Sequence, residues 1–284
     1  MMFNYEKAFS RNIGWLTEDE QRILRTKRIA IAGMGGVGGF HLLTLARLGI
    51  EKFNIADFDV FELANFNRQT GAGVASLNRP KVDVLAEMMR DINPECDLRV
   101  YGQGVRADNL TDFFEGVDLF VDGLDFFAFD VRERVFAHCH QFNIPAITVA
   151  PLGMSAALLN FMPGGMSFEG YFQMAGKSEL QKAIRFLVGL APALLHRHYL
   201  ADKSRVNLKA KKGPSTIMAC QLCASVAVSE ALKILLGRGK VWAAPHGIQF
   251  DGYRNKLAHT WRPGGNRHPL NRFTLALATQ QLGQ

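Results

Sequence analysis

Arg28-Ile-Ala-Ile-Ala-Gly33-Met-Gly35-Gly36-Val-Gly38-Gly39 is the stretch on which the fold turns. An apolar strand runs straight into a glycine-rich turn. Glycine suits such a turn because the backbone bends sharply and a phosphate can approach bare N–H groups. The apolar positions of Phe40 to Ile50 (Leu42, Leu43, Leu45, Ala46, Leu48) then predict a helix whose N-terminus faces that phosphate. A second strand follows and ends on Asp57, 24 residues after Gly33. A doubly wound nucleotide fold places its ribose-binding carboxylate at that distance.

Glycines alone do not separate a dinucleotide site from an ATP site. The residues that follow carry more information: Asp57-x-Asp59, Asn65-x-x-Arg68-Gln69 and Arg79-Pro80-Lys81. An amide and two cations near one glycine loop suit a triphosphate, whose chemistry depends on positioning and on neutralising phosphate charge.

Outward from this core, strands and helices alternate. Thr17-Glu-Asp-Glu20 is a capping box that starts a helix to about Thr26. Pro80 opens a helix to Ile92, followed by a strand Asp97 to Tyr101, a short helix Leu110 to Glu115 and a strand Val117 to Asp122. Residues 130 to 142 read as helix, and Ile144 to Ala150 and Met154 to Met162 as strands, the latter one of a more antiparallel set. The expected fold class is α/β, a doubly wound, mostly parallel sheet with helices on both faces and a more antiparallel C-terminal extension. Gly33–Gly38, Asp57 and Asp125 all fall at carboxyl ends of expected strands, where such sheets bind ligands.

The organisation expected is an arm and helix over 1–27, a nucleotide-binding domain over 28–162, a mobile crossover over 163–214, and a helix with strands over 215–284. Residues 163–214 read least clearly, apart from a helical stretch near Glu179 to Val188. A helix over 216–236, strands within 240–262 and a terminal helix over 269–281 complete the chain.

At this set of residues the chain resembles the MoeB/ThiF/HesA family, the adenylating domain shared with ubiquitin-activating enzymes. The likeness covers roughly residues 9–160 and, more loosely, 215–237. It implies an ATP-dependent adenylyltransferase with magnesium, working as a homodimer. Gly33, Gly35, Gly36 and Gly38 would cradle phosphate, Asp57 would accept from ribose hydroxyls, and Asp59 and Gln69 would support the nucleotide site. Asn65, Arg68 and Lys81 would contact the triphosphate, and Arg11 would reach the phosphates of a partner subunit. Asp125 would hold magnesium, a hard cation that takes oxygen ligands. Here the chain departs from the family pattern, because Phe126-Phe127 stands where an Asn usually follows that Asp. The substrate implied is the C-terminal carboxylate of a ubiquitin-like or sulfur-carrier protein, or of a peptide. A related branch, similar around Ile92-Asn-Pro-Glu-Cys96, activates a carboxylate on tRNA. A nucleotide-binding module without catalysis and an NAD-linked dehydrogenase are the other readings.

Composition bounds the rest. The 284 residues carry a net charge of +7 and are 48% hydrophobic and 21% charged, ordinary for a globular protein. The basic excess falls late, from Lys209 to Arg272, without aromatic residues interleaved as in a nucleic-acid face. The longest oily run, Ile217 to Leu236, contains Glu230 and Lys233 and reads as a buried helix, so no membrane is expected. The N-terminus lacks the pattern of a signal peptide, and four cysteines make no disulfide framework; both point to the cytoplasm. Structural zinc is not expected, since Cys220-x-x-Cys223 supplies two of the four ligands needed. Cys220 or Cys223 is the remaining candidate for a thioester-forming thiol.

Overall fold

Arg28–Ala32 forms β1, and all five of its residues are buried. A strand apolar on both faces needs cover on both, the signature of a parallel α/β sheet. The computed structural model describes residues 2–282, and the chain divides into two compact units. The last two residues of the expected C-terminal segment lie outside the described ones.

The first unit holds residues up to Leu124 together with Ala227–Val241. Its strands are β1, β2 (Lys52–Ala56), β3 (Asp97–Tyr101) and β4 (Leu119–Asp122). They lie in the order β3-β2-β1-β4, every neighbouring pair parallel. The helix Gly38–Arg47 returns the chain from β1 to β2, and Lys81–Ile92 returns it from β2 to β3. Order reverses at β1, which has β2 on one side and β4 on the other; Ala32 pairs with both Ala56 and Asp122. Ligands of doubly wound sheets sit outside the strand carboxyl ends at such a reversal.

Polar groups at the opposite strand ends are satisfied internally. Buried Arg28 donates to Asn54 Oδ1 at 2.9 Å and pairs with Asp97, while Asn54 donates to the Phe113 carbonyl at 2.7 Å. The expected capping box is present: Thr17 Oγ1 accepts from the Glu20 N–H and the Glu20 carboxylate from the Thr17 N–H, starting the helix Glu18–Thr26.

The second unit comprises Asp125–Val226 and residues 242–282. β5 (Ala146–Leu152), β6 (Ser155–Phe161), β7 (His246–Asp251) and β8 (Lys256–Trp261) form a sequential antiparallel set. Its core is aromatic. Phe126, Phe129, Phe136, Phe161, Phe168, Tyr171, Phe172 and Phe186 pack ring to ring, Phe136 and Phe168 stacking with centroids 4.6 Å apart. The helices that carry them are Phe129–Gln141, Phe168–Phe172 and Glu179–Leu190. The short helix Phe168–Phe172 was not legible in sequence. The segment expected to be a mobile crossover is tied to its unit at several points: Tyr199 accepts from the Met154 N–H at 2.8 Å and donates to Asp251 at 3.0 Å, and the Leu195 N–H donates to Gln249 at 3.4 Å.

The helix Ile217–Leu236 is long and apolar enough to cross a bilayer, with a mean hydropathy of 1.5. Ala219, Cys220, Cys223, Ala224, Ala227 and Ala231 on it are buried in protein, as in a core helix. No cysteine forms a disulfide, and among the described residues no three His, Cys, Asp or Glu side chains are grouped to hold a metal.

Candidate functional site

The glycine loop is a place where backbone meets backbone. Gly33 adopts φ +87°, and a Cβ there would lie 2.2 Å from the Gly123 carbonyl oxygen. At Gly38 a Cβ would sit 1.7 Å from the Gly33 carbonyl oxygen. Both positions therefore exclude any side chain. Gly35 differs, because a Cβ there would meet only the Gln69 amide nitrogen, at 3.7 Å. Packing does not demand glycine at 35, and the open ground above it is where a ligand can approach the chain. Gly36 is half-buried in the same turn. The helix Gly38–Arg47 begins directly after, its Gly39 N–H reaching the Gly35 carbonyl at 3.5 Å and its His41 N–H the Val37 carbonyl at 2.8 Å, so that its N-terminal end opens onto the loop.

Asp57 closes the loop from the end of β2. Its Oδ2 accepts from the Met34 N–H at 2.5 Å and its Oδ1 from the Asp59 N–H at 2.8 Å. Burial pushes this carboxyl up, against the pull of those two N–H groups and of Lys81. Two bonds leave lone pairs on the carboxylate for a ribose hydroxyl.

The stretch from Asp59 to Lys81 is folded back on itself. Buried Lys81 donates from Nζ to Asp59 Oδ2 at 2.9 Å and from its N–H to the Asp59 carbonyl at 3.0 Å. Asp59 is thus a partner of the lysine rather than an independent group. Asn65 is buried, its Oδ1 accepting from the Glu62 N–H at 3.0 Å, and its carbonyl accepts from the N–H groups of Arg68 and Gln69. The Arg68 guanidinium is held by the Ala64 carbonyl at 3.0 Å and Asn67 Oδ1 at 2.9 Å, with no carboxylate against it among the described residues. Gln69 is buried against Gly35, and its Oε1 has no hydrogen-bond partner. An orphaned buried acceptor beside bare loop backbone is what a site built for another molecule's donor looks like.

Arg11 lies exposed in the turn Ser10–Asn12, with no hydrogen bond or ion pair from its side chain among the described residues. Asp125 is exposed; its Oδ1 accepts from the Phe127 N–H at 2.9 Å, leaving Oδ2 open, an oxygen that fits a hard cation. Buried Arg132 donates to the Asp125 carbonyl at 2.9 Å and the Phe126 carbonyl at 3.2 Å, fixing that turn.

Sequence reasoning missed two residues of the first unit. Gly123 forms the wall against which Gly33 and Gly38 pack, and a Cβ on it would lie 2.4 Å from the Gly33 oxygen. His41 is fully buried in the helix after the loop, neither ring nitrogen has a partner, and burial pushes it down to about 3. The candidate thioester cysteines fare poorly as nucleophiles. Cys220 and Cys223 are fully buried, and burial pushes the Cys223 thiol well up.

A family model described as the ThiF family matches residues 9–272. A tRNA threonylcarbamoyladenosine dehydratase of Haemophilus influenzae is 32% identical over 152 residues, covering 53% of this chain and 57% of that protein. A sulfur carrier protein ThiS adenylyltransferase of Escherichia coli is 30% identical over 145 residues, 51% of this chain and 57% of that protein. The matches thus span little more than half the length of these relatives. The E. coli tRNA N6-threonylcarbamoyladenosine dehydratase crystallised with ATP shares the fold, with a TM-score of 0.60 at 23% identity over 82% of this chain and 95% of that one.

Proposed function

Because the chain belongs to the ThiF family, we propose that it is an ATP-dependent adenylyltransferase that activates a substrate carboxylate as an acyl-adenylate. One observation carries the reading. The open backbone at Gly35, the unpartnered Gln69 acceptor and the carboxylate of Asp57 all meet at the glycine loop after β1.

A substrate carboxylate oxygen attacks the α-phosphorus of ATP in line. The bond from that phosphorus to the bridging oxygen breaks, pyrophosphate leaves with the electron pair, and the acyl-adenylate remains; no proton has to move. The loop N–H groups and the cations Arg68 and Lys81 stabilise the charge that builds on the phosphate oxygens. Asp59 holds the Lys81 ammonium in place through their 2.9 Å bond. Magnesium, when bound at Asp125, supplies further neutralisation of phosphate charge. Holding both reactants together contributes much of the acceleration. Arg11, exposed and unpaired, is assigned to the phosphates of a second copy, which makes the homodimer the working unit. A reducing, cytoplasmic setting belongs to the same proposal, supported by four cysteines without a disulfide.

The substrate favoured is the C-terminus of a ubiquitin-like or sulfur-carrier protein, or of a peptide. A carboxylate on modified tRNA is the second reading, favoured by the 32% identity with the H. influenzae dehydratase. Exchange of labelled pyrophosphate into ATP tests the reaction. The wild-type chain should show exchange that depends on magnesium and on one of these partners, and Lys81→Met should lower it about 10²- to 10³-fold. Calorimetry that finds no ATP binding, or NADH bound in its place, would sink the proposal. Stimulation by tRNA and not by a carrier protein would select the second reading.

A further inference from the structure

A cavity of about 100 Å³ opens between the helices Glu179–Leu190 and Pro269–Leu282 of the second unit, lined by none of the residues assigned above to the nucleotide site. Its lining is Lys177, Gln181, Ile184, Arg185, Leu275 and Thr279. Two cations, an amide and a hydroxyl line the space, and among the described residues no carboxylate does. The Arg185 guanidinium carries the argument, because its Nη1 is buried and has no hydrogen-bond partner. A cation held inside the protein with part of its donor set unmet is costly, and one that lines a cavity is a natural partner for an anion placed there.

The neighbouring groups are set for the same role. The Gln181 Oε1 already accepts from the Ser178 N–H at 3.1 Å, so its NH₂ is the end left for another molecule. The Arg185 backbone is fixed, its carbonyl accepting from the Asn266 amide at 3.0 Å, and Asn266 also holds the Phe172 carbonyl at 2.9 Å. The guanidinium therefore projects from a rigid base. Lys177, which precedes the helix, has no ion-pair partner among the described residues, whereas nearby Glu179 is already paired with Lys211 at 3.4 Å.

We propose that this cavity binds a phosphoryl group. Two cations match a doubly charged oxyanion, and a guanidinium with an ammonium is the usual donor pair for one. Space matches as well, since a water claims about 30 Å³ and the cavity exceeds three times that. Ile184 and Leu275 narrow the space and lower its polarity, which strengthens each charged contact. The group could arrive as inorganic phosphate or as the phosphate monoester of a larger molecule.

Titration calorimetry with sodium phosphate at constant ionic strength, against a sodium chloride control, tests this. The wild-type chain should bind phosphate saturably. Lys177→Ala should weaken binding about tenfold, and Arg185→Met should abolish it while thermal unfolding stays cooperative. Phosphoserine binding as well as phosphate would identify a monoester site, and phosphate binding alone a free-phosphate site. The proposal fails if wild-type takes up no phosphate, or if both variants bind as wild-type does. It fails equally if Lys177→Ala leaves the affinity unchanged and Arg185→Met does not fold. Loss of binding in Arg68→Ala, with Lys177→Ala unaffected, would place the phosphate at the glycine loop and overturn it too.

Discussion

The two units fill the space around their key residues differently. Around the glycine loop the main chain presses on itself, with the Gly33 and Gly38 positions within a bond length or so of forbidden contact with backbone oxygens. In the second unit rings fill most of the interior, from Phe126 to Phe186, and close backbone contact is confined to places such as Gly265, where a Cβ would lie 2.2 Å from the Tyr171 carbonyl oxygen. Side chains can relax around a change, whereas a backbone oxygen tied into a ladder cannot. The same substitution should therefore cost very different amounts in the two places.

Glycine to alanine gives the sharpest contrast. Gly38→Ala should abolish ATP binding by calorimetry and destabilise the chain by about 3 kcal/mol or more, as strain of this kind is among the few large mutational effects. Gly213→Ala, in the second unit with nothing within 4 Å, should stay within about 0.5 kcal/mol in urea unfolding. Equal effects would break the comparison.

A second contrast uses lysines, each paired with acid. Lys81→Met should lower pyrophosphate exchange about 10²- to 10³-fold. Lys182, in the second unit, is paired with Asp130 at 3.2 Å and Glu133 at 2.7 Å, and Lys182→Met should leave exchange unchanged.

Acid should weaken both units. Burial holds His41 down to about 3 and, with Asp251 opposing, His196 down to about 4, so each is neutral when folded. The unfolded chain takes up protons below about 6.5, so stability present above that pH is lost as pH falls toward the folded values. From His41 alone the loss at pH 5 is about 2 kcal/mol. Urea midpoints from pH 7.5 to 5 should fall, and His41→Leu should flatten the slope.

The smallest effects are local. Thr17→Ala removes a cap in the first unit and Tyr171→Phe removes a 3.0 Å bond to the Gly189 carbonyl in the second. Each should cost about 1 kcal/mol by thermal unfolding.

The unequal packing also explains what could be read in the chain. Glycine spacing, β1 as a run of buried apolar residues and the capping box at Thr17 are local signals, and each was legible. Helix Gly38–Arg47 starts two residues before the apolar run begins, because Gly38 and Gly39 are chosen for contact and not for helix propensity. Gly123 as the wall of the loop and Asp59 as the partner of Lys81 depend on residues brought together from 90 and 22 positions away. No periodicity reports such pairings. Phe168–Phe172 is five residues long, too short for a helical pattern to show, and is held by aromatic neighbours from elsewhere in its unit.

The fate of the sulfur atoms reaches furthest. Cys139, Cys220 and Cys223 are sealed away, and half-buried Cys96 has its thiol pushed up by burial. Among the described residues no cysteine presents a fully exposed thiol to an acyl group. On the proposed reaction the acceptor would bring its own attacking atom, so alkylating reagents applied to the folded protein should leave adenylate formation intact, and the acceptor becomes the thing to fish for.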